Sequence, residues 1–227
     1  MSLCLLSPLA GTALVDDFSF LKEIQAFVQY VHVVRDAGDY QRAEELRLAL
    51  QTTGLDKEQQ AVLDIRTATL LSRLYTEVQP KVPSRSLALL EEAEQELKVL
   101  RKNSFFSLIL EAEIDSIHYL VNPRSLGKGI SSNAKINKAY KQYPEQVYAR
   151  LMKASSLLYA PSIAGGDVDK ALQIYLELLM EGLPILSRWD TASLYSNIGV
   201  VSMKRNEWST AKGYLDAAKA LYRFDPT

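Results

Sequence analysis

A chain of 227 residues with 48% apolar and 23% charged side chains can bury a sizeable core, and this balance excludes general intrinsic disorder. Its 26 basic and 27 acidic residues nearly cancel. This argues against nucleic acid as the partner, because such binders take much of their affinity from a basic excess that neutralises phosphates. The single cysteine, Cys4, leaves no internal disulfide framework and no thiolate metal cluster.

The chain opens on an apolar stretch from Leu3 to Leu14 that is too short to span a bilayer. With Gly11 and Ala13 just before Asp16 and Asp17, residues 1–15 read as the remnant of a secretory signal, or as an apolar segment packing on the first helix. The first reading implies export, the second is equally consistent with the cytoplasm. Residues 16–227 form one domain, since no internal linker is long or polar enough to divide them.

Proline and glycine, both costly inside helices, then punctuate the chain at Gly38, Gly54, Pro80 and Pro83, Pro123, Pro144, Pro161 with Gly165 and Gly166, and Gly182 with Pro184. Between these points apolar residues recur at three- and four-residue steps. Phe20, Ile24, Phe27, Val31 and Val34 make one stripe; Val62, Ile65, Leu70 and Leu74 a second; Leu172, Tyr175 and Leu179 a third. No segment shows the period-two alternation of a half-buried strand. Asp56, Ser84, Ser104, Asp167, Asp190 and Asn206 stand where a short polar side chain would cap a helix. The expectation is about ten helices, paired antiparallel through short loops.

A motif repeats along this pattern. Gly38, Tyr40 and Ala43 recur as Gly166, Val168 and Ala171, and as Asn206, Trp208 and Ala211: a turn residue, a bulky residue two later, an alanine three after that. Weaker copies start at Ser86, with Leu90 and Ala93, and at Ser132, with Ile136 and Ala139. The last copy continues through Leu215 and Ala218 and is preceded by Tyr195, Ile198 and Gly199. This series resembles the tetratricopeptide repeat, in which small residues sit where paired helices cross closely. The anchors at 43, 86, 132, 171 and 211 lie further apart than the roughly 34 residues of the standard unit, so helices or loops are longer here. The resemblance implies an all-α fold, an α-α superhelix of about five antiparallel helical hairpins.

A second set of residues, Gly127, Lys128 and Gly129, then Lys138 and Ala139, Pro144, Tyr148, Arg150, Pro161, and Gly165 to Ala171, resembles a group of often exported bacterial tetratricopeptide-like proteins. That likeness implies fold and export from a bacterial cytoplasm, with no catalytic residues and no ligand. In general pattern the chain is also similar to periplasmic helical-repeat accessory proteins of solute transporters.

The residues for catalysis are sparse, and the chain reads as a non-enzyme with no cofactor. Of two histidines, His118 follows Glu111 and Asp115 at helical spacing, a thin basis for a metal site, and His32 with Arg35 and Asp36 reads as a solvated helix end. Residues Arg124 to Ser132 lack the order of a phosphate-binding loop and read as an interhelix loop. Gly165 and Gly166 turn the chain, and Asp167 caps the helix that follows.

The first helices of stacked hairpins line the concave face that such proteins use for binding. This places Asn197 and Lys204 on one face of the last pair, Gln29 and Arg35 (with His32) in the first, Asp115 with Tyr119 in the third, and Arg150 with Lys153 in the fourth. The function expected is a non-enzymatic scaffold for a protein or peptide, whose extended backbone suits amide and basic side chains. The alternative is a small-ligand or transport-accessory protein with a pocket lined by Tyr119, Tyr148 and Tyr159. Leu215, Ala218, Leu221, Tyr222 and Phe224 make the final helix apolar enough to need a cover, from the N-terminal segment or from a second copy in a homo-oligomer.

Overall fold

The computed structural model describes residues 13–50 and 54–221. The expectations for Cys4, for most of the apolar segment and for Tyr222 and Phe224 fall outside them. Eleven α-helices are present among the described residues: α1 (Ser19–Lys22), α2 (Gln25–His32), α3 (Tyr40–Ala49), α4 (Lys57–Glu77), α5 (Pro83–Glu96), α6 (Phe105–Val121), α7 (Leu126–Gln142), α8 (Val147–Tyr159), α9 (Val168–Glu181), α10 (Arg188–Lys204) and α11 (Trp208–Leu221). No strand forms among these residues, and successive helices pack on one another as an α-α superhelix. No described helix is long and apolar enough to cross a membrane.

Five hairpins pair α2 with α3, α4 with α5, α6 with α7, α8 with α9, and α10 with α11. The anchors read from the sequence all fall on the second helix of a pair. Ala43, Ser86, Ser132, Ala171 and Ala211 are buried, so small side chains do stand where the helices cross. The two serine anchors explain why those copies are weak in sequence and sound in structure. Ser86 Oγ lies 2.8 Å from Ser72 Oγ, and Ser132 Oγ donates to the Ala112 carbonyl at 2.7 Å. Each buried hydroxyl therefore finds a partner across its own hairpin. At the last crossing a methyl on Gly199 would stand 2.8 Å from Leu215 Cγ, so only glycine lets α10 and α11 approach this closely.

The caps follow the sequence in part. Asp56, Ser104 and Asp167 accept amides from Gln59, Ser107 and Lys170, with a full capping box at Asp56. Ser84 instead lies inside α5, whose first residue is Pro83, since a proline with no amide to lose suits that position. Asp190 is not the cap of α10. Ser187 is, and Asp190 sits three residues in, accepting from the Ser187 hydroxyl at 2.6 Å. Asn206 takes a left-handed φ of 60° in the turn before α11. Residues 126–132, expected as loop, form the start of α7, where both glycines fit without strain.

The first hairpin departs most from expectation. The stripe from Phe20 to Val34 is not one helix. It breaks at Glu23 and Ile24 between α1 and α2, then widens into a π-turn over Val33–Ala37 that ends at Gly38, with φ 62°. Apolar periodicity alone does not reveal these breaks.

Because the α10/α11 crossing has no room for a side chain, Gly199→Val should lower stability by about 2 kcal/mol, the usual cost of overpacking a core. Urea unfolding should show part of that loss restored in the Gly199→Val/Leu215→Ala double variant.

Candidate functional site

The first helices of four hairpins, α4, α6, α8 and α10, present an inner face, and Arg66 stands near its middle. Its guanidinium donates to Glu113 on α6 at 2.6 Å and to the Tyr148 hydroxyl on α8 at 2.9 Å, and it lies over the rings of Phe18 and Tyr148 at 5.3 and 5.1 Å. The Arg66 and Glu113 side chains are only 12% and 15% exposed. Burial disfavours the charge on Arg66, but Glu113 and the Tyr148 hydroxyl more than offset this and hold its proton more firmly than usual. Burial likewise pushes the Tyr148 hydroxyl up, with Arg66 opposing it.

Part of this face is already occupied by the chain itself. Val15 pairs with the α7–α8 connection as a parallel bridge: its amide donates to Glu145 and its carbonyl accepts from Val147, both at 3.0 Å. Gln146 Oε1 accepts the Asp17 amide at 3.3 Å. Phe18 then enters an aromatic cluster with Phe105, Phe106 and Tyr148, ring centroids 5.1–5.7 Å away. Leu14 packs in the core of the last hairpins. The described end of the apolar segment thus docks on the fourth hairpin, not on the first helix.

The first and last hairpins also meet. Asp36, at the end of the π-turn, accepts from Trp189 Nε1 at 2.8 Å and from Arg188 at 2.5 Å, and lies 2.7 Å from His32 Nδ1. The His32 ring stands edge-on to Trp189. What reads in sequence as a solvated helix end is a junction, because the partners come from a helix about 150 residues later. Burial raises the Asp36 carboxyl, yet hydrogen bonds from Trp189 and His32 and the charge of Arg188 outweigh it and hold it below its usual range.

This junction and the docked segment border a half-open cavity of about 110 Å3. Phe18, Leu21, Phe27, Val31, Leu70 and Trp189 give it apolar walls, and Asp16, Lys22, Arg35, Arg66, Tyr148 and Asp190 add polar groups. Of the residues singled out from sequence, Arg35 lines this cavity and pairs with no other described group. Gln29 is exposed on α2. Asn197 and Lys204 do share a side of α10 and both meet the end of α8: Asn197 Oδ1 accepts from Tyr159 at 2.8 Å, and Lys204 donates to the Leu158 carbonyl at 2.7 Å. Arg150 donates to the Pro144 carbonyl and to Glu177 on α9, and Lys153 to Asn137 on α7. These two point to neighbouring helices rather than into the cavity.

The three tyrosines do not converge. Tyr148 lines the cavity, Tyr159 is 61% exposed beside Asn197, and Tyr119 covers Gly129. Around Asp115 the structure assembles a cluster that sequence spacing could not supply. Lys128, Ser131 and Lys135 of α7 donate to its carboxylate at 2.6–2.8 Å, and Glu94 reaches His118 at 3.1 Å. Burial opposes the Asp115 charge, and these hydrogen bonds overcome it and lower its pKa. No group of His, Cys, Asp or Glu among the described residues is placed to hold a metal. The helical spacing of Glu111, Asp115 and His118 was the available signal; the lysines that satisfy it lie on the next helix.

No protein-family model matches the chain, and no curated protein and no solved structure matches it either. The helical-repeat architecture therefore stands on the packed hairpins themselves and their small-residue crossings.

Asp36 carries a pH dependence with a definite sign. Its folded pKa lies below its unfolded one, so the stabilisation is complete above about pH 3.9 and is lost as pH falls through the folded value. Melting temperatures followed from pH 6 to pH 2 should favour the native chain over Asp36→Asn at the upper end and converge at the lower; parallel curves would mean the junction adds nothing.

Proposed function

We propose that the chain is a non-enzymatic scaffold that binds a polypeptide segment along its inner face. One observation carries this reading: residues 15–18 already lie against this face, with Phe18 as an aromatic anchor on Arg66 and Tyr148 and with Val15 paired through its main chain to the α7–α8 connection beside it. Main-chain bonds give a groove affinity for any extended segment, and pockets for alternate side chains give selectivity.

Beyond Tyr148 the face continues to Tyr159 and Asn197, with Arg73 within electrostatic reach of Tyr159. Arg73 and Tyr159 are exposed, Asn197 is half-buried, and Ser193, one turn earlier on α10, is exposed. Here a partner would find an amide, a phenol and a guanidinium, the side chains suited to peptide carbonyls and carboxylates. Export from a bacterial cell remains part of the proposal on the strength of residues 1–15 and the likeness of their successors to exported repeat proteins. The second reading, a small-ligand protein, draws on the cavity beside Arg35.

Panning a random-peptide display library on the full chain should yield saturable binders. Their affinity should fall about tenfold for Asn197→Ala, near the 1.4 kcal/mol of one lost hydrogen bond, and stay unchanged for Lys212→Ala on the outer helix α11. Failure to select any binder, or equal loss in both variants, would remove the inner face from consideration.

A further inference from the structure

The cavity under the docked segment has an unusual charge balance. Five ionisable groups of formal charge line it, and most are neutralised locally. Lys22 pairs with Asp16 at 2.6 Å and donates to the Ile185 carbonyl, and Arg66 pairs with Glu113. Two remain. Arg35 makes no ion pair or hydrogen bond with any described group. Asp190 takes a hydrogen bond from the Ser187 hydroxyl and has no cation beside it. Both bear on the Tyr148 hydroxyl, Asp190 raising and Arg35 lowering its pKa, so both lie within electrostatic reach of one point in the cavity wall. Yet these opposite charges do not form an ion pair with each other. Two flexible, half-buried groups on one small cavity would be expected to close on each other unless the packing holds them apart.

We propose that this cavity binds a small zwitterion, an α-amino acid with a short apolar side chain, its carboxylate on Arg35 and its ammonium on Asp190. A guanidinium is suited to a carboxylate because its N–H groups match both oxygens, and a carboxylate is suited to an ammonium as acceptor. A simple acid would leave Asp190 unpaired in a half-buried site, and a simple amine would leave Arg35 so; only a ligand with both charges satisfies both. Leu21, Phe27, Val31 and Leu70 receive the side chain, and Trp189 and Tyr148 flank it. The volume sets its size. A cavity of roughly 150 Å3 takes benzene, so about 110 Å3, which must also admit the charged head between Arg35 and Asp190, suits an aliphatic side chain of about one to three carbons. The site is separate from the Tyr159 and Asn197 end of the face, and it does not rest on the peptide reading.

The test is isothermal titration of the full chain with L-alanine, L-valine and L-leucine, and with isovalerate and isobutylamine, which each carry one of the two charges on a similar carbon skeleton. At least one amino acid should bind saturably, more tightly than both single-charge probes, and about tenfold or more weaker to Arg35→Gln and to Asp190→Asn. Circular dichroism melting of both variants separates loss of the site from loss of the fold, and Val28→Trp, which fills the cavity from its half-buried rim, should abolish binding in a chain that still melts cooperatively. The proposal is overturned if no amino acid binds, if isovalerate or isobutylamine binds as tightly, or if binding is indifferent to both charge substitutions.

Discussion

A guanidinium removed from water must be paired, and the inner face of this protein is arranged around that requirement. Arg66 leaves α4, meets a carboxylate from α6 and a phenol from α8, and is covered by a phenyl ring from the N-terminal segment. Three hairpins and the segment that crosses them are thereby held at one point. Removing either partner of such a buried pair typically costs about 3–5 kcal/mol, because the group left behind keeps its desolvation and loses its compensation. Desolvation offsets much of the attraction in such a pair, which is therefore weak as a source of net stability. The pair fixes where the hairpins stand relative to one another.

The closing of the array follows from the same geometry. With Phe18 placed against Arg66 and Tyr148, α1 and α2 continue toward the last hairpin. There Asp36 takes hydrogen bonds from Trp189 and Arg188, and Lys22 reaches the Ile185 carbonyl. An open repeat array leaves its inner face to solvent along its whole length. Here one end is covered, and the other, around Tyr159 and Asn197, is open. The two ends offer different chemistry: a half-open cavity with apolar walls and two charges without an ion-pair partner at one, an exposed strip of amide, phenol and guanidinium at the other.

The charged clusters away from this face have structural accounts. Asp115 is satisfied by two lysines and a serine, and the pairs on exposed helix surfaces, such as Arg42 with Glu45 and Lys212 with Asp216, contribute little individually. Their presence explains why a search of the sequence for acids and histidines at ligand spacing leads to α6 and why that spacing has a structural use instead.

The amino-acid sequence by itself determined the helical class, the hairpins and the five crossing positions, because these depend on local quantities: apolar periodicity, the cost of proline and glycine, and the size of the residue at each anchor. It determined the caps at Asp56, Ser104 and Asp167 for the same reason. It also pointed to Arg35, Asn197 and Lys204 as residues of one kind of surface, without saying what each would meet. Tertiary structure alone decided that Arg35 stands at a cavity, that Arg150 and Lys153 are spent on neighbouring helices, and that His32 and Asp36 belong to a junction. Those outcomes depend on partners 16 to 153 residues distant. Side-chain periodicity carries no information about which hairpin a loop will deliver, so contacts of that range are set only when the superhelix closes.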